Sequence, residues 1–156
     1  MIISDKLIKR IKQEFLLDWN GIHGYPHWMR VKENGMILSG RTGANPQVVK
    51  LFAVLHDSKR MNDGRDPNHG KRAADFIKSL KDGLIVLPND EFDLLLFACE
   101  KHSDGLTDAD VTVQTCWDAD RLDLGRVSIK PNPQFLCTSA AKDQTLIEWA
   151  YQRSIK

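Results

Sequence analysis

The sequence predicts an all-α protein, and three observations carry that reading. Apolar residues recur at helical spacing along most of the chain. Proline and glycine interrupt that spacing at intervals suited to helix ends. Strand signals are nearly absent: Leu84-Ile85-Val86-Leu87 is the one candidate, and it serves equally well as a buried connector. A length of 156 residues suits one domain with a real core.

The elements follow in order. Ser4 can cap a first helix, in which Leu7, Ile8, Ile11 and Phe15 form an apolar stripe. Asn20-Gly21 breaks it. A second helix starts at Tyr25-Pro26 and runs through His27, Val31 and Ile37 towards Gly40, weakened in the middle by Gly35. A third runs from Pro46 to about Asp57 and is apolar almost all round, so it should be buried. Residues 58–68 are polar, with Gly64 and Pro67, and read as a loop. The fourth helix spans about Asn68 to Lys81, with Gly83 closing it. The fifth starts at Pro88-Asn89-Asp90-Glu91, where an acidic first turn suits the helix dipole, and ends near His102. A sixth should hold Trp117 through Leu124. Lys130-Pro131-Asn132-Pro133 marks a connector, and a last helix covers roughly Ser139 to Arg153.

Composition narrows the function classes. The net charge is +1, so nothing global favours nucleic acid or an anionic membrane. The three cysteines are Cys99, Cys116 and Cys137, and none forms a C-x-x-C pair. Reduced thiols and a cytoplasmic setting are expected, with no signal-peptide pattern at Met1-Ile2-Ile3-Ser4. The longest apolar runs fall well short of the about 20 residues that span a bilayer. There is no P-loop, nucleophile elbow or dinucleotide fingerprint.

Chemistry concentrates in histidines and aspartates. His56-Asp57 closes the third helix, where an imidazole and a carboxylate on adjacent positions can reach one divalent ion. His27, His69 and His102 also fall at or near predicted helix ends, and Asp118-Ala119-Asp120-Arg121-Leu122-Asp123 lies downstream. Singly, each has a plain reading: His56 and His102 could favour a helix C-terminus, His69 a capping segment, and Asp120 a surface ion pair. Jointly, one buried site among helices accounts for all of them.

The order His27, His56-Asp57, Asp120 resembles the HD-domain superfamily of metal-dependent phosphohydrolases. His27-Trp28-Met29-Arg30-Val31 is similar to that family's H-x-x-R-V segment, Leu55-His56-Asp57-Ser58-Lys59-Arg60 to its apolar-HD-x-x-K/R segment, and Ala119-Asp120-Arg121-Leu122 to its A-D-x-L segment. The resemblance covers about residues 22–125, leaving a helical extension at about 131–156, all within one HD-type domain. It implies His27, His56, Asp57 and Asp120 around a metal, and the donor set suits Mn, Fe, Co, Ni or Zn. It selects Asp120 over Asp118 and Asp123.

Some members of that superfamily bind two metals through two further histidines. His69-Gly70-Lys71-Arg72-Ala73-Ala74 and Glu100-Lys101-His102-Ser103-Asp104-Gly105 resemble those segments, in which case Asp57 would bridge. In a one-metal site His102 would instead bind phosphate or move a proton. Asp57 would orient or deprotonate the attacking water. Arg60 and Arg121 are the expected phosphate arginines, while Lys59, Arg65 and Arg72 read as solvated charges. His23 either lines the entrance or sits on an exposed loop. The implied activity is hydrolysis of a small phosphorylated substrate, a nucleotide by resemblance. The alternatives are a di-iron oxygenase of the same fold or a non-catalytic ligand-sensing module.

Overall fold

A computed structural model describes residues 1–156. The chain forms α1 (Asp5–Glu14), α2 (Tyr25–Thr42), α3 (Pro46–Leu55), α4 (His69–Ser79), α5 (Asn89–Lys101), α6 (Val111–Arg121) and α7 (Gln144–Ser154), with short 3₁₀ turns at Leu124–Val127 and Pro133–Phe135. No helix is long and apolar enough to cross a membrane.

Helix α3 is the axis of the fold. Asn45 caps it, accepting from the backbone N–H groups of Gln47 and Val48, and Pro46 supplies a preset first turn. Every residue from Leu51 to Leu55 is fully buried, as the apolar run predicts. Helices α2, α5 and α6 pack around α3, α4 lies on α5, and α7 packs on α2 and the first 3₁₀ turn. Burying a Leu, Val or Phe side chain is worth about 1.5–3 kcal/mol, so this cluster fixes the backbone that delivers His56 and Asp57. The core draws residues from Leu7 in α1 to Ala150 in α7.

Gly35 does not weaken α2 in the way the sequence suggests. A Cβ there would lie 2.4 Å from Val49 Cγ1 and 3.5 Å from Ala119 Cβ. The missing side chain lets α2, α3 and α6 converge.

Three boundaries differ from expectation, each for a local reason. Helix α6 begins at Val111, because the Asp110 side chain accepts from Thr112 N and caps it, so Trp117 is mid-helix. It stops at Arg121, and the chain tightens into the 3₁₀ turn at Leu124–Val127. Helix α7 starts at Gln144 because Asp143 caps it through Thr145 N. Leu84–Leu87 is no strand. Asp82 takes a left-handed φ of 61°, in place of the Gly83 closure expected, and Ile85 folds back into the core beside a single bridge to Lys81.

Candidate metal centre

Five elements deliver the polar residues to one place. His27 comes from the first turn of α2, His56 and Asp57 from the end of α3, His69 from the start of α4, His102 from the C-cap of α5, and Asp120 from the last turn of α6. All six expected ligands meet. His27, His56 and Asp57 form one compact group, and Asp57, His69 and His102 form a second.

Asp57 joins the two groups through different oxygens. Its Oδ2 lies 3.4 Å from His27 Nε2 and 3.5 Å from His56 Nε2. Its Oδ1 lies 3.3 Å from both His69 Nε2 and His102 Nε2. Asp120 Oδ1 completes the first group, 3.3 Å from both His27 Nε2 and His56 Nε2.

The approach of α4 to α5 depends on Gly70. A Cβ there would sit 2.5 Å from Glu100 O and 2.8 Å from Cys99 O. Glycine therefore lets the start of α4 touch the end of α5, which brings His69 Nε2 within 2.9 Å of His102 Nε2.

Hydrogen bonding fixes the tautomer of each ring. Nδ1 of His56 faces the carbonyls of Phe52 and Ala53, Nδ1 of His69 faces Asp66 O, and Nδ1 of His102 faces Cys99 O. Nδ1 of His27 faces Asp123 Oδ2 at 2.7 Å. Carbonyl and carboxylate oxygens only accept, so each Nδ1 carries the proton and each neutral ring turns a bare Nε2 inward. His27 Nε2 and His56 Nε2 are 3.1 Å apart. Lone pairs and carboxylate oxygens crowded in this way repel one another unless a cation lies among them. Asp120 Oδ1 is likewise buried with no hydrogen-bond donor. An unpaired buried acceptor is costly, and a divalent ion is the partner this N/O donor set fits.

Electrostatics point the same way. Burial raises the Asp57 and Asp120 carboxyls, but the neighbouring imidazoles, His56 foremost, outweigh it and hold both well below the usual carboxylate range. Burial and Arg126 push the His27 imidazole down, yet Asp120, Asp123 and Asp57 overcome them and raise it to about 9. The site draws positive charge, even when that charge is only a proton.

No protein-family model and no curated protein matches this chain. Among solved structures, one from an uncultured Thermotogales bacterium, described as a predicted HD superfamily hydrolase, is similar. The likeness covers 94% of this chain and 84% of that one, at 23% sequence identity and a TM-score of 0.72. The fold is the HD-domain fold. Its helical frame and the His/Asp cluster agree with the all-α reading of the sequence.

Within this fold the cluster floors a cleft of about 580 Å³. Arg60 lines it, with Nε 3.4 Å from Asp57 Oδ1 and Nη1 bonded to the carbonyls of Asn62 and Gly64. Arg121 lines it too, but both Nη atoms are engaged: Nη1 donates to Phe135 O and Cys137 Sγ, and Nη2 to Leu106 O. His23 is not among the lining residues. It is buried behind His27, with Nδ1 2.8 Å from Asp63 Oδ1. Arg72 is no solvated charge either, since it clamps both oxygens of Asp66 and the carbonyl of Lys59.

Two residues matter here beyond the expected set: Asp123, which the resemblance sets aside as a ligand, and Arg126. Asp123 is fully buried and orients His27, while Arg30 holds both of its oxygens. It lies just past the end of α6, and the acidic run Asp118-Ala119-Asp120-Arg121-Leu122-Asp123 is the signal that would have found it. Arg126 lines the cleft with a buried Nε that lacks a partner, and its Nη2 lies 3.9 Å from Asp120 Oδ1. It sits in a 3₁₀ turn beyond any motif, so nothing in the local sequence marked it.

Proposed function

We propose that this chain is a metal-dependent phosphohydrolase of the HD type, acting on a small phosphoester or phosphoanhydride. The observation that carries the reading is the arrangement around Asp57: two groups of His/Asp donors sharing one carboxylate at the floor of an arginine-lined cleft. His27, His56, Asp57 and Asp120 would hold one ion, and Asp57, His69 and His102 a second. Divalent ions bound there lower the pKa of water and polarise a phosphoryl oxygen.

The chain's own groups supply the rest. Asp57 faces four imidazoles, Oδ2 towards His27 and His56 and Oδ1 towards His69 and His102, so both of its oxygens would be taken up in holding the ions. Asp120 has 14% of its side chain exposed and lines the cleft. Its side chain faces the cleft and would orient the attacking water. Arg60 and Arg126 offer guanidinium groups to the phosphate oxygens, a pairing favoured by their forked geometry. Arg121 serves mainly to fix the cleft wall. With Nδ1 committed to Cys99 O, His102 offers a lone pair at Nε2, which supports the ligand role over the proton-donor role.

The test is a panel of phosphoesters and phosphoanhydrides, nucleotides included, offered to metal-loaded protein. Turnover should appear with at least one and vanish in His56→Ala and Asp120→Ala. Metal binding without turnover across the panel would favour a sensing module. Oxygen uptake by ferrous-loaded protein would favour an oxygenase.

A further inference from the structure

The cleft changes character between floor and mouth. Its floor is charged: Asp57, Asp120, His69 and His102, with Arg60 and Arg126 beside them. Its mouth is built by residues 129–136 of the connector to α7, where Ile129, Pro131 and Phe135 give it apolar surface beside Lys130 and Asn132. Phe135 is 60% exposed and Ile129 52% exposed, and both line the cleft. Lys130, in the same segment, is spoken for, with Nζ on Glu148 Oε2.

These exposed side chains stand on anchored backbone. Phe135 O accepts from Arg121 Nη1 at 2.9 Å. Asn132 Oδ1 caps the 3₁₀ turn through Gln134 N. Just beyond, the fully buried Asp118 accepts from Cys137 N at 2.6 Å and Thr138 N at 2.9 Å. Pro131 and Pro133 restrict the backbone further. A large ring held out to solvent on fixed backbone, in the wall of a cleft, is a presented surface. The cleft also exceeds what a phosphoryl group fills, lying within the about 300–1,000 Å³ typical of small-molecule sites.

We propose that Phe135, with Ile129 in the same cleft wall, is a specificity-determining shelf on which the aromatic body of a phosphate ester stacks while its phosphate occupies the floor. The assignment of the phosphate to the floor rests on the hydrolase reading above. Aromatic rings pair best offset or edge-on, and the open ring of Phe135 allows either.

The test is calorimetric titration of metal-loaded protein with two non-hydrolysable probes, phenylphosphonate and methylphosphonate. Wild type should bind the phenyl probe about tenfold more tightly. Phe135→Ala should remove that preference and leave methylphosphonate affinity unchanged, and Phe135→Trp should keep the preference. Equal binding of the two probes by wild type would overturn the proposal, as would a Phe135→Ala variant that weakens both alike. If neither probe binds, the phosphate floor and the shelf fall together. If the preference appears but no phosphoester is hydrolysed, the shelf stands and the hydrolase reading fails.

Discussion

The two halves of the site are built differently. The inner half, His27, His56 and Asp120 on Asp57 Oδ2, lies against α3 and the core. Both of its histidines are fully buried, and a further layer of Asp123 and Arg30 steadies His27. The outer half, His69 and His102 on Asp57 Oδ1, lines the cleft and is steadied by backbone carbonyls alone. Carboxylate-backed imidazoles are the more basic ligands. The inner half should therefore hold its ion tightly and the outer half should exchange more freely, with substrate arriving on the outer side.

The largest effect should come from Asp57, the residue the halves share. Asp57→Ala should abolish hydrolysis of whatever phosphoester the panel identifies, whereas His69→Ala should leave the inner ion in place, as metal retention through gel filtration would show. Next is Asp123. Asp123→Ala should weaken binding of the inner ion by about 10–100-fold, the usual cost of losing such a partner, while the outer ion is little affected. A metal competition titration with a chromophoric chelator measures both.

A smaller effect is expected at Gly70. Gly70→Ala forces a methyl group against Glu100 O, and overpacking of this kind costs about 1–3 kcal/mol. The melting temperature of the metal-free protein should fall, and outer-ion affinity should fall with it because His69 and His102 are driven apart. If Gly70→Ala altered stability alone, the account of how the outer half is assembled would need revision.

The smallest effect is a pH dependence at Asp66, whose carbonyl holds His69. Burial raises the Asp66 carboxyl, but the hydrogen bonds from Arg72 and Met61 N outweigh it and leave it below its ordinary value of 3.8. A carboxyl lowered in the folded state adds stability above its unfolded pKa and loses it as the pH falls through the folded one. Asp66→Asn should therefore be less stable than wild type at neutral pH, with the gap closing in acid, as urea midpoints across pH would record.

The His/Asp cluster was legible in the sequence because each of its residues sits in a short local context at a helix end. So were the burial of α3 and the Ser4 cap, since both depend on near neighbours. What escaped depends on the three-dimensional path of the chain. Asp110 and Asp143 each cap a helix, but an aspartate two residues before a threonine reads equally well as loop. Arg121 follows Asp120 and looked like a phosphate arginine. It swings instead to the carbonyls of Phe135 and Leu106, while Arg126 turns into the cleft because a 3₁₀ turn redirects the chain after α6. The cleft mouth, formed by residues remote from every motif, could be located only in the folded chain.

In the proposed site one carboxylate serves two ion positions. Elemental analysis of metal per chain, on protein purified without chelators, tests it most directly when wild type, His102→Ala and Asp57→Ala are compared as folded, monodisperse samples. Wild type should carry two ions per chain, His102→Ala one and Asp57→Ala none. One ion per chain in wild type, unchanged by His102→Ala, would contradict it.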